Sequence, residues 1–426
     1  MHHLILGAGP AGVIAAETIR KHAPDDRITL VGDEREPPYS RMAIPYLLVG
    51  NIKEAGTYLR KNVSHFASQR INLINARATK VDAAAKTVTL DNGQTLAFDR
   101  LLIATGSHPA HPPIPGIDLP GVETCWTLAD ARAIAARARP GARVLQLGAG
   151  FIGCIIMEAL QKRGVALTVV EMGDRMVPRM MGEVAGNMIR DWCEQQGVRV
   201  YTGHKVERIE KGEGDALKVQ LSGGTVLDAD LVISATGVRP AIGYLEGSGV
   251  KCLLGVLTDE RMQTNVPGIY AAGDCAEAFD PFTQKTVVSA IQPNAADQAR
   301  VAALNMVGQA TPLKVVTQIN VLDTLGLIST SFGNWQGLPG GEHAELTDTA
   351  AGRHLSLQFK DDVLVGCNSV GMTQQVGVMR GLVEGQVKLG AWKDRLLADP
   401  NLLTQAYLAC AQGQGEWSGA GDARRR

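Results

Sequence analysis

The sequence of 426 residues has few aromatic side chains, which make up 4% of the chain, and no excess of charge of either sign. Its 42 lysines and arginines stand against 43 aspartates and glutamates, which leaves a formal net charge of −1. Nucleic-acid binding relies on basic surfaces and on aromatic side chains that stack on bases. The composition therefore argues against a nucleic-acid binder and indicates no bulk electrostatic partner.

Closely spaced cysteines are missing as well. The seven cysteines stand singly along the chain, no Cys-x-x-Cys pair occurs, and their number is odd. A disulfide framework or a zinc site needs cysteines and histidines at short, regular spacings. We therefore expect neither a disulfide scaffold nor a metal site, and single cysteines fit a reducing cytoplasm.

Apolar runs long enough to cross a membrane are also lacking. The apolar stretches that begin at Leu4 and Val144 each contain three glycines, and Gln146 and Glu158 interrupt the second stretch. A membrane-spanning helix needs about 20 predominantly apolar residues. The sequence therefore predicts a cytoplasmic protein with no membrane partner.

Glycine is the residue in excess, since it occupies 48 of the 426 positions, against roughly 7% in average usage. Part of the excess lies in two G-x-G-x-x-G patterns, at residues 7–12 and 148–153, each between an apolar strand and a helical stretch. The first glycine allows the tight bend, the second lets a pyrophosphate approach the backbone, and the third lets the helix pack on the strand. Each helix N-terminus then faces the phosphates, so two bound dinucleotides are predicted.

Further segments repeat in the same order. Residues 102–106 and 233–237 both end in Ala-Thr-Gly, and each follows a hairpin with a glycine-bearing turn. A later strand, in residues 266–274, ends in a glycine and an acid. From about residue 315 alternating strands followed by two helices indicate another kind of domain. The predicted fold class is α/β, with two Rossmann-like dinucleotide-binding domains that carry β-meanders, and a C-terminal α+β domain.

Five ordered motifs resemble those of the two-dinucleotide-binding flavoproteins, the FAD- and NAD(P)-dependent pyridine-nucleotide oxidoreductases. They are the two glycine-rich turns, the two Ala-Thr-Gly segments and residues 271–274. Within that family, residues 31–41 are similar to the rubredoxin and ferredoxin reductases, to apoptosis-inducing factor and to the flavin module of assimilatory nitrite reductase. The resemblance spans residues 1–410.

The resemblance also implies a division into domains. Residues 1–110 and 241–314 are expected to form the FAD-binding domain, and residues 111–240 the NAD(H)-binding domain. Residues 315–412 are expected to form the C-terminal α+β interface domain. Residues 413–426 are expected to be a disordered tail. The proline-rich residues 108–115 are a linker in this interpretation.

The first turn, by resemblance, holds the FAD pyrophosphate. Asp33 or Glu34 takes the adenosine ribose hydroxyls, and Arg41 lies along the cofactor. Asp274 accepts hydrogen bonds from the ribityl chain, and Gly273 gives the pyrophosphate region access to the backbone. The chemistry agrees with these roles, because a carboxylate suits vicinal hydroxyls and a glycine suits close approach.

In the second unit Glu171 closes a strand 23 residues beyond Gly148, close to the spacing of about 20 expected for a ribose-binding acid. A carboxylate there accepts from the 2′-hydroxyl of NADH and repels the 2′-phosphate of NADPH, so NADH is the expected donor. Arg175 and Arg179 either accommodate a phosphate or lie at the surface. The residues expected to bind the two cofactors are Gly7, Gly9, Pro10, Ala11, Gly12, Asp33, Glu34, Arg41, Thr105, Gly106, Gly148, Gly150, Ile152, Gly153, Glu171, Gly237, Gly273 and Asp274.

Departures from the family pattern narrow the chemistry. Met42 stands where thiol-dependent members carry their cysteine, and a thioether cannot act as a thiolate. Disulfide and peroxide chemistry is therefore not expected. Tyr46 and Ile155 occupy the positions of a lysine and a glutamate that pair beside the flavin in ferredoxin-reductase relatives, which predicts a less polar nicotinamide pocket with Tyr46 near the flavin. Cys154 and Cys275 follow their motifs directly and are expected to be structural.

By resemblance, hydride passes from NADH to FAD and no catalytic side chain is needed, because the flavin does the chemistry. The leading interpretation is an enzyme that passes the electrons on to a separate redox protein, ferredoxin-like or rubredoxin-like, or to an oxygenase component. Residues 319–325 lack the aromatic Trp-Ser-Asp-Gln segment of ferredoxin reductases, which leaves the acceptor open. The alternatives are an NADH oxidase or diaphorase that reduces oxygen or a quinone, and a redox-responsive NADH-sensing binding protein. A homodimer through the third domain also stays open.

Overall fold

The computed structural model of the protein describes residues 1–280, 285–313 and 319–414. Its strands are β1 (His2–Leu6), β2 (Arg27–Gly32), β3 (Ile71–Asn75), β4 (Ala78–Asp82), β5 (Thr87–Leu90), β6 (Thr95–Ala97), β7 (Arg100–Ile103), β8 (Ser107–Pro109), β9 (Val122–Thr124), β10 (Arg143–Leu147), β11 (Ala166–Glu171), β12 (Arg199–Thr202), β13 (Val206–Lys211), β14 (Leu217–Leu221), β15 (Val226–Ala229), β16 (Leu231–Ser234), β17 (Val238–Pro240), β18 (Val256–Thr258), β19 (Ile269–Ala271), β20 (Ala276–Asp280), β21 (Lys285–Val287), β22 (Ile319–Thr324), β23 (Leu327–Gly333), β24 (Glu342–Asp348), β25 (Arg353–Lys360) and β26 (Val363–Val370). Its α-helices are α1 (Pro10–His22), α2 (Ile44–Val49), α3 (His65–Ser68), α4 (Leu128–Arg137), α5 (Phe151–Lys162), α6 (Glu183–Gln195), α7 (Gln292–Met306), α8 (Val376–Glu384), α9 (Ala391–Ala398) and α10 (Leu403–Gln414).

The chain divides into two compact units. Unit 1 comprises Met1–Pro113, Val122–Arg139 and Thr236–Val316, and unit 2 comprises Ile114–Gly121, Pro140–Ala235 and Thr317–Arg426. The assignment of residues 1–110 and 241–314 to an FAD domain, of 111–240 to an NAD(H) domain and of 315–412 to an interface domain stays a prediction. The predicted tail from residue 415 onward lies outside the described residues.

Unit 1 is built on a parallel sheet with the strand order β19-β7-β1-β2-β3. Its strands read as continuous apolar runs, which is typical of parallel strands that are covered on both faces. Leu4, Ile5, Leu30 and Leu102 are completely buried. Helices α1 and α7 pack against each other, and β4, β5 and β6 form the predicted meander.

Unit 2 repeats this plan. Its strands β12, β11, β10 and β16 lie side by side in this order and run parallel. Helix α5 packs on β10 and β11, helix α6 packs on β12, and β13, β14 and β15 form the second predicted meander. The structure thus confirms the predicted α/β class with two Rossmann-like sheets.

A separate antiparallel sheet in unit 2 has the order β22-β23-β26-β25-β24. One face carries Phe332, Leu355, Leu357 and Phe359, which belong to a buried cluster with residues of α8, α9 and α10. The prediction of two helices after these strands was one helix short, because a 3-10 helix at Pro400–Leu402 separates two short helices, α9 and α10. The predicted α+β character of this region is confirmed.

The proline-rich stretch 108–115 was predicted to be a linker. That interpretation is wrong for its first residues, since β8 (Ser107–Pro109) pairs antiparallel with β17 (Val238–Pro240). Both strands are edge strands, where proline is tolerated because it need not donate to a ladder. Among the described residues, no helix is both long and apolar enough to cross a bilayer.

Candidate active site

The cofactor residues predicted in unit 1 meet at the carboxyl edge of its parallel sheet. The register pairs Leu6 of β1 with Val31 of β2 and with Ile103 of β7, and Ile103 with Ala271 of β19. The first glycine turn, the Ala-Thr-Gly segment and the Gly-Asp segment therefore leave the sheet at the same level. In open α/β sheets ligands bind at this edge, where the strand order reverses.

The three glycines of the first turn differ in whether the protein itself requires a glycine at that position. Gly7 has a φ of +109°, and a Cβ atom there would lie 2.0 Å from the carbonyl oxygen of Ala104. A Cβ on Gly12 would lie 1.8 Å from the carbonyl oxygen of Gly7. Gly9 has an ordinary φ of −77°, and a Cβ there would meet nothing within 4 Å. The protein itself does not require a glycine at residue 9, which leaves open space for a ligand beside the backbone.

Helix α1 begins directly at this space. Pro10 occupies its first turn, where a missing N–H costs nothing, and Gly9 is the N-cap with no side chain to cap the helix. Ala11 lies inside, where a Cβ on Gly273 would come within 3.3 Å of its methyl group. The first helical N–H groups are therefore directed to the open space, as a pyrophosphate requires.

The structure separates the two candidate ribose acids. The side chain of Asp33 is exposed, whereas the carboxylate of Glu34 accepts hydrogen bonds from Arg41 Nη2 at 2.6 Å and from the Tyr39 hydroxyl at 2.6 Å. Glu34 thereby holds Arg41 at the end of β2. The assignment of the ribose hydroxyls to either acid stays a prediction.

Asp274 is a half-buried carboxylate at the same edge. Its Oδ2 accepts a hydrogen bond from Ser107 Oγ at 2.8 Å. Burial raises the pKa of Asp274 above its ordinary value, while the Ser107 hydrogen bond and the attraction of Arg41 lower it in part. A carboxylate in this position is suited to accept from hydroxyl groups.

Gln298 of α7 is a site residue that the sequence alone did not reveal. Its Oε1 accepts from the backbone N–H of Gly273 at 2.8 Å. Its Nε2 is buried and has no hydrogen-bond partner in the described chain. An orphaned buried donor is costly, so this amide, the space at Gly9 and Asp274 together fit a dinucleotide with a polyhydroxylated chain.

The Ala-Thr-Gly segments serve mainly to arrange the backbone. Thr105 Oγ1 donates to the carbonyl of Ala241 at 2.8 Å and lies 3.2 Å from the hydroxyl of Tyr244. Gly106 accepts from the N–H of Ala241 at 2.9 Å. Gly237, which was predicted to bind a cofactor, lies in unit 1 and accepts from the N–H of Ala110 at 2.8 Å.

The second glycine turn, in unit 2, repeats the pattern of the first. Gly148 has a φ of +93°, and a Cβ on Gly153 would lie 2.5 Å from the carbonyl oxygen of Gly148. Gly150 has an ordinary φ of −76°, with nothing within 4 Å of a Cβ. Ile152 follows in the first turn of α5 and is half-buried. This turn too leaves room for a ligand at its middle glycine.

Glu171 is bound directly to the second turn. Its Oε2 accepts from the N–H of Ala149 and its Oε1 from the N–H of Gly173, both at 2.7 Å. Arg175 donates to Asp174 and to the carbonyl of Met181, and Arg179 is exposed. The acid is therefore held against the turn, and its ribose-binding role stays a prediction.

The residues that mark the departures from the family pattern are accessible. Met42 is 49% exposed and Tyr46 is 59% exposed. Met42 lies in a short 3-10 helix, Arg41–Ala43, directly before α2, and Tyr46 lies in α2. Ile155 is half-buried in α5. Their placement beside a cofactor stays a prediction.

The cysteines next to the two motifs are unsuited to nucleophilic chemistry. Cys154 and Cys275 are completely buried. Burial raises the pKa of the Cys154 thiol far above its usual range and that of Cys275 to about 11. Since the thiolate is the reactive form, both act as small packing residues. The described residues contain no group of three His, Cys, Asp or Glu side chains placed to hold a metal ion.

The family model described as "Pyridine nucleotide-disulphide oxidoreductase" matches residues 1–302. The chain belongs to this family. Membership in the pyridine nucleotide-disulphide oxidoreductases confirms the resemblance predicted from the five motifs, and it makes the protein an FAD-dependent NAD(P)H oxidoreductase with FAD and NADH as its cofactors.

Characterised members of the family are similar over nearly the whole chain. The NADH-dependent phenylglyoxylate dehydrogenase subunit epsilon of Aromatoleum evansii is 34% identical over 93% of this chain and 95% of its own length. The NADH oxidase of Methanocaldococcus jannaschii is 32% identical over 87% of this chain and 88% of its own. The ferredoxin–NAD(+) reductase component of the biphenyl dioxygenase system of Paraburkholderia xenovorans is 30% identical over 93% and 98%.

Solved structures of related reductases share the fold. A ferredoxin reductase from Rhodopseudomonas palustris is 27% identical with a TM-score of 0.83, and the match covers 90% of this chain and 95% of that one. The putidaredoxin reductase of a covalent complex with putidaredoxin has a TM-score of 0.88 over 96% of this chain and 99% of that one. Its identity of 24% shows the shared fold only.

Proposed function

We propose that the protein is an NADH-dependent reductase that passes electrons through FAD to a separate redox protein. The chemistry that bound FAD would supply is to accept a hydride from NADH and to release the electrons one at a time. The observation that carries the proposal is a pair of turns, at residues 7–12 and 148–153, whose middle glycines both face open space.

The FAD side of the site is assigned to unit 1. The N-terminus of α1 and Gly9 receive the pyrophosphate, Arg41 lies along it, and Asp274 accepts from the ribityl hydroxyls. The buried Nε2 of Gln298 is a donor that a polar cofactor atom could satisfy. These residues bind and orient the cofactor, and none of them moves a proton.

The NADH side is assigned to unit 2. Gly150 and the N-terminus of α5 receive the second pyrophosphate. Glu171 is held by two backbone N–H groups with both carboxylate oxygens at fixed positions, and it accepts from the ribose 2′-hydroxyl. A carboxylate at this place repels a 2′-phosphate, which supports NADH over NADPH.

A separate redox protein is supported as the acceptor in two ways. First, the relative from Paraburkholderia xenovorans is a ferredoxin–NAD(+) reductase component, and that from Aromatoleum evansii is a subunit of a larger dehydrogenase. Second, Met42 and the buried thiols of Cys154 and Cys275 provide no thiolate for disulfide chemistry. The acceptor is therefore proposed to be an iron–sulfur protein or a companion subunit.

The second candidate function is that of an NADH oxidase. It is favoured by the relative from Methanocaldococcus jannaschii, which carries that name and aligns over most of both chains. The redox-responsive binding protein remains the third interpretation. A homodimer, a cytoplasmic location and the identity of the redox partner belong to the proposal as well, and size-exclusion chromatography with light scattering tests the dimer.

One experiment separates these functions. The purified yellow protein is reduced with NADH under anaerobic conditions and then mixed with air, with ferricyanide or with a [2Fe–2S] ferredoxin, while flavin absorbance is followed. Reoxidation by ferredoxin that is much faster than by air supports the reductase. Fast reoxidation by air supports the oxidase, and a long-lived reduced complex with a changed oligomeric state supports the sensor. A protein that neither contains nor binds flavin contradicts all three.

A further inference from the structure

Trp126 belongs to none of the sequence motifs, yet it contacts two segments of the predicted FAD site, those of Arg41 and Ser107. It precedes α4 and is half-buried. Its indole Nε1 donates to the carbonyl of Ser107 at 3.1 Å, its own carbonyl accepts from Arg41 Nη1 at 2.7 Å, and its ring lies 5.2 Å from the Arg41 guanidinium. One side chain thus contacts both Arg41 and the segment that bears Ser107.

The guanidinium of Arg41 is fixed by its neighbours before any ligand is considered. The ring of Tyr39 lies 5.6 Å from it, and that of Trp126 at 5.2 Å. Its Nη1 also donates to the Tyr39 hydroxyl at 3.1 Å, and Nη2 donates to Glu34. A guanidinium has five N–H donors, and the described residues engage three of them. Two donors in a fixed orientation remain for an anion.

The contact of the indole with Ser107 reaches the other end of the site. Ser107 Oγ donates to the half-buried carboxylate of Asp274, and Trp126 holds the backbone carbonyl of the same serine. Trp126 therefore connects the residue assigned to the pyrophosphate with the residue assigned to the ribityl chain. Both connections lie within unit 1.

Trp126 is itself held in place by the cap of α4. The carboxylate of Asp130 accepts from the N–H of Trp126 at 2.9 Å, from the N–H of Thr127 at 3.0 Å and from Thr124 Oγ1 at 2.8 Å. Thr127 completes a capping box with Asp130. The backbone on either side of the indole is thus rigid, which a positioning residue requires.

We infer that Trp126 is a positioning residue for FAD, which orients Arg41 toward the pyrophosphate through its ring and carbonyl and orients the Ser107–Asp274 pair through its indole N–H. This inference rests on the proposed function, since it needs FAD in unit 1. A flat aromatic face is needed to stack on a guanidinium. An indole is the only neutral aromatic side chain that also donates from an N–H on the ring edge without accepting a hydrogen bond.

The test measures how fast FAD leaves the holoprotein. Purified wild type, Trp126→Phe and Trp126→Leu are diluted, and the rise of free-flavin fluorescence gives the release rate. Trp126→Leu is expected to release FAD about tenfold faster, because Arg41 loses its stacking partner. Trp126→Phe keeps a ring face and is expected to stay within about threefold of wild type. Trp392→Leu is the matched control, because it removes the ring that lies 4.6 Å from Arg395, in unit 2.

A second measurement shows whether the effect runs through Arg41. In an Arg41→Leu background, Trp126→Leu is expected to change the release rate no more than about threefold, as Trp126→Phe does in the wild type, because only the indole bond to Ser107 remains to be lost. Release from Trp126→Leu at the wild-type rate, or a full tenfold effect on top of Arg41→Leu, overturns the inference. A wild-type protein without FAD overturns the proposed function instead, so the two failures are distinct.

Discussion

The two glycine turns of this protein share a backbone plan but differ in what supports them. In unit 2 the acid that ends the second strand, Glu171, accepts directly from the turn through the N–H of Ala149. In unit 1 the corresponding acid, Glu34, accepts from Arg41 and Tyr39 instead. Unit 2 also has Gln146, in the strand that precedes its glycine turn. The Nε2 of this side chain donates to the carbonyl of Gly148.

This difference suggests two modes of binding. In unit 2, polar side chains fix the turn and the acid as one element, which suits a ligand that must enter and leave in every cycle without reshaping its site. In unit 1, the acid fixes an arginine, which with its aromatic neighbours is proposed to be a positive group for the cofactor phosphates. That arrangement suits a cofactor that stays bound.

The largest expected effect is that of replacing Gly7, because both its backbone conformation and the lack of space for a side chain require a glycine. Gly7→Ala places a Cβ 2.0 Å from a carbonyl oxygen at a φ of +109°, so we expect a loss of about 3 kcal/mol or more in the free energy of unfolding. Chemical denaturation followed by circular dichroism measures it. A variant as stable as wild type would show that the first turn is not built as described.

The middle glycines sharpen the comparison between the turns. Gly9→Ala and Gly150→Ala introduce no clash within the protein, so both variants should fold with wild-type stability. Gly9→Ala is expected to weaken FAD binding about tenfold or more, a change of about 1.4 kcal/mol. Gly150→Ala should keep its flavin and raise the KM for NADH by a similar factor.

Flavin content per protein and steady-state kinetics with ferricyanide distinguish these outcomes. Each variant serves as the control for the other, because they make the same change at equivalent places. If Gly150→Ala lost its flavin and Gly9→Ala did not, the assignment of the two cofactors to the two turns would be reversed.

Replacing Glu171 and replacing Glu34 are expected to affect different cofactors, as replacing the two middle glycines does. Glu171→Ala removes the acceptor of two backbone N–H groups, and hydrogen bonds to a charged group are worth roughly 1.5–3 kcal/mol. We expect kcat/KM for NADH to fall about tenfold or more and the preference for NADH over NADPH to shrink. Glu34→Ala should speed FAD release and leave the KM for NADH unchanged. Initial rates with both nucleotides, on enzyme saturated with FAD, are the measurement.

The smallest expected effect concerns pH. β1 carries a buried histidine, His3, bonded to Asp26 at 2.8 Å, whereas β10 has Val144 at the equivalent place. Burial holds the pKa of His3 below its ordinary value. The unfolded chain therefore binds the proton more readily, and the stability that neutral His3 contributes is present above about pH 6.5 and lost as pH falls below it.

Thermal unfolding at pH 7.5 and pH 5.5 tests this expectation. The wild type should lose more stability than His3→Val between the two values, by up to about 1 kcal/mol. Val144→Ala serves as the control in unit 2, and it should lower stability equally at both pH values. Parallel pH profiles for wild type and His3→Val would contradict the assignment.

Much of the site was predictable because it depends on local backbone demands. The glycine spacing at residues 7–12 and 148–153, the Gly-Asp segment and the spacing of Glu171 all follow from what a turn or a strand end needs. Trp126 and Gln298 could not be found in this way. Trp126 reaches the site from the segment before α4 and Gln298 from α7. Both are far along the chain from the glycine turn, and neither stands in a periodic pattern or a turn motif.

Two other features could not be predicted from the sequence, because they also depend on contacts between residues that are not neighbours in the chain. The linker prediction at residues 108–115 overlooked the pairing of Ser107–Pro109 with Val238–Pro240, a contact between segments more than 120 residues apart. The choice between Asp33 and Glu34 was open in the sequence, since both are acids at the end of one strand. Only the position of Arg41 distinguishes the exposed acid from the engaged one.

The sequence by itself determined most of the strands, both glycine turns and the expectation of a dinucleotide site at each turn, because these depend on the chemistry of neighbouring residues. The tertiary structure decided which side chains orient those sites. Parallel strands bring residues 7, 33, 104 and 272 to one edge although they are far apart along the chain, and the register that does so is set by burial across the whole sheet. Part of the glycine excess lies in two turns with open space beside the middle residue, and the long-range contacts of Arg41, Trp126 and Gln298 hold the side chains that are proposed to bind the first cofactor.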